Sequence, residues 1–115
     1  MKDDGLKEKY RSTLIDILAA DPHVERVVLF GSRATGAFRP ASDIDLALYG
    51  DELTLSDLAR LRTRIEETSI PQQVDLAWVK EIDNPKLLAH IEEDGVEWFR
   101  REGKARRAAD KRIEA

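Results

Sequence analysis

Two short apolar runs, each broken by polar residues at a fixed place, constrain what this chain can fold into. The run at residues 27–30 ends at Gly31 and Ser32, and ten residues later Asp43 and Asp45, separated by one apolar residue, open a second run. Apolar runs of this length, bounded by turn residues, predict buried β-strands. We therefore expect a glycine turn after the first strand and a pair of acids at the start of the second.

The turn at Gly31 and Ser32 has the chemistry of a phosphate site. A residue without Cβ lets the backbone turn sharply and lets a phosphate approach the main chain. Ser32 is predicted to begin a short helix through Thr35, with its hydroxyl and its unpaired N–H groups at the positive end of the helix dipole. A Gly-Ser pair after a strand is more often only a turn, so this interpretation depends on the acids that follow.

Asp43 and Asp45 lie on one face of their predicted strand, because side chains alternate between the two faces. Two neighbouring carboxylates repel each other unless a cation lies between them. Mg²⁺ is the natural candidate, since it takes one or two carboxylates and completes its shell with water and phosphate oxygens.

A third acid, Asp75, interrupts another apolar run at residues 73–79. If that strand pairs beside the first two, Asp75 faces the same cleft as Asp43 and Asp45, and three such acids can hold two metal ions. The alternative is that Asp43 caps a turn at the start of its strand, and that Asp45 and Asp75 are solvent-facing residues of half-exposed strands.

Together these residues resemble the signature of the DNA-polymerase-β-like nucleotidyltransferase superfamily. The segment at residues 30–36, FGSRATG, is most similar to the minimal nucleotidyltransferases, many of which are antitoxins paired with HEPN-domain toxins. The resemblance covers about residues 24–99. It implies an α/β fold, a small mixed β-sheet with helices packed on one side.

The resemblance also implies a role for each residue of the motif. Gly31 and Ser32 would hold the β- and γ-phosphates of a nucleoside triphosphate, with Arg33 near the phosphates or the acceptor. Two Mg²⁺ ions are expected. The catalytic and metal-binding residues would be three acids, of which the last also helps to activate the acceptor hydroxyl: Asp43, Asp45 and Asp75.

In that family the antitoxin transfers AMP from ATP to a tyrosine hydroxyl of the partner toxin, an RNase, and so blocks it. The resemblance thus implies a metal-dependent protein adenylyltransferase that acts as the antitoxin of a HEPN-type toxin. Two alternatives stay open. One is nucleotidyl transfer to a small molecule or an RNA end, and the other is a non-catalytic antitoxin or scaffold that acts by occlusion.

Length and composition predict one domain at residues 1–99 and a basic tail at residues 100–115, helical or disordered. The tail carries seven basic and three acidic residues, whereas the whole chain of 115 residues has a net charge of −4. An acidic chain is a poor general binder of nucleic acid, so contact with RNA is expected at most through the tail.

The sequence contains no cysteine, which excludes disulfides and thiol catalysis. No apolar run is long enough to span a bilayer or to form a signal-peptide core, so we expect a cytoplasmic protein without a membrane partner. Two histidines are too few for a convincing histidine metal site, and His23 and His90 are predicted to be surface or capping residues.

Periodicity and capping signals predict the remaining elements. A helix precedes Asp21-Pro22, and Asn84-Pro85 begins another that ends at Gly95. The other predictions are strands at 27–30, 43–49 and 73–79, a helix from a capping box at Thr54 to about Ser69, and a short edge strand or packed terminus at 96–99.

Overall fold

A computed structural model describes residues 3–101, which form four strands, four α-helices and one 3₁₀ turn. Among these residues no helix has the length and apolarity needed to cross a bilayer. The strands are β1 (Arg26–Phe30), β2 (Ile44–Tyr49), β3 (Val74–Trp78) and β4 (Val96–Arg100). The helices are α1 (Glu8–Ala19), α2 (Ser32–Thr35), α3 (Leu55–Glu66) and α4 (Pro85–Asp94), and the 3₁₀ turn is Val79–Glu81.

The sheet is mixed, with the strand order β3-β2-β1-β4. β1 pairs antiparallel with β2 and with β4, whereas β2 and β3 are parallel. The parallel pair requires a crossover, which α3 supplies between β2 and β3. The predicted small mixed sheet is confirmed. Its register places Asp45 between Phe30 of β1 and Asp75 of β3, in one row across the sheet.

The two faces of the sheet carry unequal helical layers. On the first face, Leu29, Leu46 and Leu48 are fully buried in the main core, to which α1 and α3 contribute their apolar residues. On the second face, Val28 and Ala47 pack with residues of α4 in a smaller cluster. The main helical layer therefore lies on one side, as expected, and α4 adds a second layer that the prediction did not include.

Most predicted boundaries differ from the observed ones by one or two residues. The capping box at Thr54 is present, but α3 ends at Glu66, before the predicted Ser69. The last predicted segment is an edge strand and runs through Arg100, while Arg101 donates to backbone carbonyl oxygens near the end of α1. These two residues therefore belong to the folded domain. The rest of the predicted basic tail lies outside the described residues.

An ionic network joins the start of α3 to the loop before β1. The Asp57 carboxylate, which caps α3, accepts a hydrogen bond of 2.8 Å from His23 Nδ1 and another from Arg60. Arg60 also lies 3.4 Å from the buried carboxylate of Asp21. The hydrogen bond with His23 is the main reason that the pKa of Asp57 is lowered to about 2, and the same bond raises the pKa of His23.

The network predicts a stability optimum in mildly acidic solution. Because folding raises the pKa of His23, its contribution is complete below its ordinary pKa of 6.5 and is lost as the pH rises through the folded value. The contribution of Asp57 is complete above its ordinary pKa of 3.8 and is lost as the pH falls toward about 2. The free energy of unfolding, measured with urea across a range of pH, should fall on both the acidic and the alkaline side of this optimum. His23→Gln should remove the fall on the alkaline side. An unchanged alkaline decline in this variant would contradict the assignment.

Candidate active site

The turn after β1 can be built only with glycine. Gly31 has φ 77° and ψ −155°, a backbone conformation that side chains with a Cβ rarely adopt. A Cβ placed on Gly31 would also lie 2.5 Å from Asp45 Oδ2, well inside van der Waals contact. The turn is therefore packed directly against the Asp45 carboxylate, and the missing side chain provides that space.

Ser32 begins α2 on the far side of this turn and is half-buried. Within residues 3–101, the Ser32 hydroxyl has no hydrogen-bond partner, and neither do the N–H groups of Ser32 and Arg33. The turn thus offers three donors to a ligand beside an acid. This is the chemistry that the sequence predicted for a phosphate contact.

The three predicted acids lie on the sheet face that carries α4. Asp45 is the second residue of β2 and is half-buried, and Asp75 is its direct neighbour on β3. Asp43 is exposed and comes immediately before β2. Paired strands lie about 4.8 Å apart, so Asp45 and Asp75 are held side by side by the backbone itself. The predicted pairing of the third strand beside the second is confirmed.

This arrangement disfavours the ionised form of the Asp45 carboxylate. Its burial is the main reason that the pKa of Asp45 is raised, and the negative charges of Asp75 and Asp43 raise it further. A group of carboxylates whose mutual repulsion is visible in this way fits a divalent cation, which would neutralise it. Gln73 Nε2 donates to Asp75 Oδ1 at 3.3 Å and steadies one member of the group.

The three acids are spaced more widely than the ligands of one bound ion. Within the described residues, the cluster whose His and acidic ligand atoms all lie within 4.8 Å of one another is Asp21, His23 and Asp57. Asp43 and Asp75 are both exposed, and a shared cation would require a change of their side-chain rotamers.

The closer cluster of Asp21, His23 and Asp57 serves a different purpose. It lies beyond the N-terminal end of β1, whereas Gly31 follows the C-terminal end of that strand. Arg60 pairs with both of its carboxylates, and His23 donates to one of them. This cluster is the ionic network that caps α3, and its carboxylates already have partners within the protein.

The structure places the Arg33 side chain inside the protein. Its side chain is only 1% exposed, and its guanidinium donates to the backbone carbonyl oxygens of Asp4, Pro40 and Ser42 at 2.8–3.2 Å. It also stacks over the Phe38 ring, 5.1 Å from its centroid. With its donors directed into the protein, Arg33 fixes the loop before Asp43 and does not reach out to phosphate or acceptor.

His90 is the residue that the sequence interpretation missed. The Gly31 N–H donates to His90 Nε2 at 3.3 Å, and His90 Nδ1 lies 3.0 Å from Asp94 Oδ2. The His90 ring also meets the Phe30 ring edge to face, with 6.4 Å between centroids. A sequence signal existed, because His90 and Asp94 are four residues apart on one helix, a spacing that brings side chains together. No sequence signal existed for the contact with Gly31, which is 59 residues away along the chain.

A cavity of about 590 Å³ opens next to Asp75, between the C-terminal part of α3 and β3. Its lining includes the apolar side chains of Ile65, Ile70 and Val74 together with the polar ones of Gln72 and Asp75. β3 is an edge strand of the sheet, so one long side of it is not covered by another strand. The cavity therefore opens at the edge of the sheet, on the side of α3.

Comparison with known proteins gives one consistent result. Residues 12–104 match the family model of the polymerase β nucleotidyltransferases. A relative from Methanocaldococcus jannaschii, assigned as a protein adenylyltransferase, is 34% identical over 91 residues, which cover 77% of this chain and 79% of the relative.

Solved structures show the same fold at lower identity. A toxin–antitoxin structure with AMP-PNP matches with a TM-score of 0.67 and 22% identity, over 90% of this chain and 84% of that one. A chain from the complex of tri-AMPylated Shewanella oneidensis HEPN toxin with MNT antitoxin matches with a TM-score of 0.63 and 19% identity, over 95% and 85%.

Removing the central acid should stabilise the free protein. Folding raises the pKa of Asp45, so its ionised form is less favourable in the folded chain than in the unfolded one. We expect Asp45→Asn to raise the melting temperature at pH 7 by a few degrees. Mg²⁺ should raise the melting temperature of the unaltered chain but not that of the variant. Asp16→Asn, an exposed change on α1, should alter neither value. An equal Mg²⁺ effect on both proteins would contradict a cation site at Asp45.

Arg33 is expected to behave as a structural residue. Arg33→Met keeps the apolar stem but leaves at least three carbonyl groups without their donor, so the free energy of unfolding should fall by about 2–4 kcal/mol. The matched control is Arg39→Ala, an exposed arginine of the same loop, for which about 0.5 kcal/mol or less is expected. A stable Arg33→Met variant that has lost nucleotide affinity would restore the ligand role.

Proposed function

The chain belongs to the polymerase β nucleotidyltransferase family, and from this membership we propose that it transfers AMP from ATP to a tyrosine hydroxyl of a HEPN-type toxin. The chain is a nucleotidyltransferase. The identity of the donor, the acceptor and the partner is our proposal. The observation that carries it is the Asp45 carboxylate, which has no cationic partner among residues 3–101 and lies against a glycine turn whose donors are also unpaired there.

Each residue of the site has a proposed task in binding ATP, the donor of the AMP group. The Ser32 hydroxyl and the N–H groups of Ser32 and Arg33 hold the β- and γ-phosphates, and Gly31 leaves room for them beside Asp45. Asp43, Asp45 and Asp75 hold Mg²⁺, with two ions expected. When bound, Mg²⁺ neutralises the triphosphate and favours the ionised form of a nearby hydroxyl.

The proposed reaction is a single displacement at the α-phosphorus. The acceptor oxygen forms a bond to that phosphorus, the bond to the oxygen bridging the α- and β-phosphorus atoms breaks, and pyrophosphate leaves. The proton of the acceptor hydroxyl passes to the solvent by way of the exposed Asp75 carboxylate. Positioning and charge neutralisation supply most of the rate in reactions of this kind.

The partner is proposed from the relatives. The M. jannaschii relative is assigned as a protein adenylyltransferase, and one of the matching solved structures is a complex in which a HEPN toxin is tri-AMPylated. The edge position of β3, the strand that carries Asp75, leaves its outer side open to a polypeptide acceptor. Because the reaction consumes ATP, we expect it to take place in the cytoplasm.

Transfer of labelled AMP tests the proposal. The chain should be incubated with Mg²⁺, the HEPN-type protein encoded by the neighbouring gene, and ATP labelled at either the α- or the γ-phosphate. We expect the α-label alone to become bound to the partner and to disappear when the partner's acceptor tyrosine is replaced by phenylalanine. Asp43→Ala and Asp45→Ala should lower the rate by about 100-fold or more.

Asp16→Ala, which removes an exposed acid of α1, is the matched control and should keep the rate. Label found on an RNA end or a small molecule would assign the acceptor to another class. A folded double variant of Asp43 and Asp45 that still neutralises the partner in cells would favour occlusion over chemistry.

A further inference from the structure

We propose that His90 is a positioning residue of this site, which holds the Gly31 peptide in place beside Asp45 and is itself oriented by Asp94. The effect on nucleotide binding rests on the proposed function. The contact itself does not, because it is made within the free protein. His90 touches neither an acid of the site nor any reacting atom, and it acts through the main chain of the turn.

The two contacts of the imidazole define its protonation state. Nε2 accepts the Gly31 N–H at 3.3 Å, so Nε2 must carry a lone pair. Nδ1, 3.0 Å from Asp94 Oδ2, must then carry the proton and donate it to that carboxylate. Asp94 therefore selects the neutral tautomer that can accept from Gly31, as carboxylates commonly do for histidines that use their second nitrogen.

The position of α4 explains how His90 reaches the turn. The helix ends at Gly95, where a Cβ would lie 2.4 Å from the Val28 side chain, so the end of α4 is pressed against β1. The His90 ring then packs edge to face on Phe30, the last residue of β1. The next peptide along the chain is the one whose N–H His90 accepts.

Gly31 requires an external restraint because glycine is the least restricted residue of the chain. Its N–H points to His90, its carbonyl oxygen accepts the N–H groups of Ala34 and Thr35, and its Cα faces Asp45. Loss of the first of these contacts would leave the peptide before Gly31 free to rotate. In the proposed function this would misdirect the donors of Ser32 relative to the acids.

Two substitutions separate the hydrogen bond from simple packing. His90→Gln places an amide oxygen near the position of Nε2 and keeps an acceptor for Gly31, whereas His90→Phe keeps a ring against Phe30 but has no acceptor. Asp94→Ala removes the group that sets the tautomer. Glu93→Ala removes a neighbouring exposed carboxylate of the same helix and is its matched control.

The first measurement needs no nucleotide. Nitrogen-15 NMR of the unaltered full chain should show His90 as the neutral tautomer protonated at Nδ1, a state that Asp94→Ala should lose and Glu93→Ala should keep. Exchange of the Gly31 amide proton should be about fivefold to tenfold faster in His90→Phe and close to the original rate in His90→Gln. Equal exchange rates in all the variants would overturn the contact.

The second measurement is the affinity for Mg²⁺ with a non-hydrolysable ATP analogue. We expect the dissociation constant to rise about fivefold to tenfold in His90→Phe and to return near the original value in His90→Gln. Equal weakening in both variants, or none in either, would overturn the positioning role. If the unaltered chain fails to bind the analogue, the proposed function fails, while the exchange rates still decide whether His90 restrains Gly31.

Discussion

The whole candidate site depends on the close packing of Gly31 against the Asp45 carboxylate. This contact exists only in one register of β1 on β2, in which Phe30 lies opposite Asp45 and the buried leucines of both strands face the main core. A slip of one residue in β2 would turn Asp45 into that core and expose the leucines, at a large cost in buried apolar surface. The hydrophobic core therefore sets the geometry of the polar face.

Much of this arrangement could be predicted from the sequence, because strand periodicity is a local property. The alternation of apolar residues around Asp45 was enough to place Asp45 on the face of the sheet opposite to the main core. The strands that pair with β2 could not be predicted in this way, since the pairing with β3 joins residues about thirty positions apart. Periodicity does not encode strand order, and in the sequence interpretation that order came from the resemblance to a known family.

Arg33 and His90 show the limit of reading a motif one residue at a time. The motif contains an arginine after Gly31-Ser32. The direction of that side chain depends on carbonyl groups in the N-terminal segment and in the loop before β2. His90 lies on a helix whose spacing predicts a contact with Asp94 and nothing more. Its link to Gly31 depends on how closely α4 approaches β1, which only the packed structure defines.

These two residues also explain how the domain tolerates a group of repelling acids. Arg33 donates to the carbonyl oxygen of Ser42, the residue immediately before Asp43, so a buried cation fixes the backbone that carries the first acid. His90 restrains the turn that faces Asp45. Arg33 and His90 bind the main chain next to Asp43 and Asp45, and within residues 3–101 neither of these two carboxylates accepts a hydrogen bond. A site built this way keeps the main chain around its acids in place whether or not their charges are neutralised, which lowers the cost of binding a cation and a triphosphate.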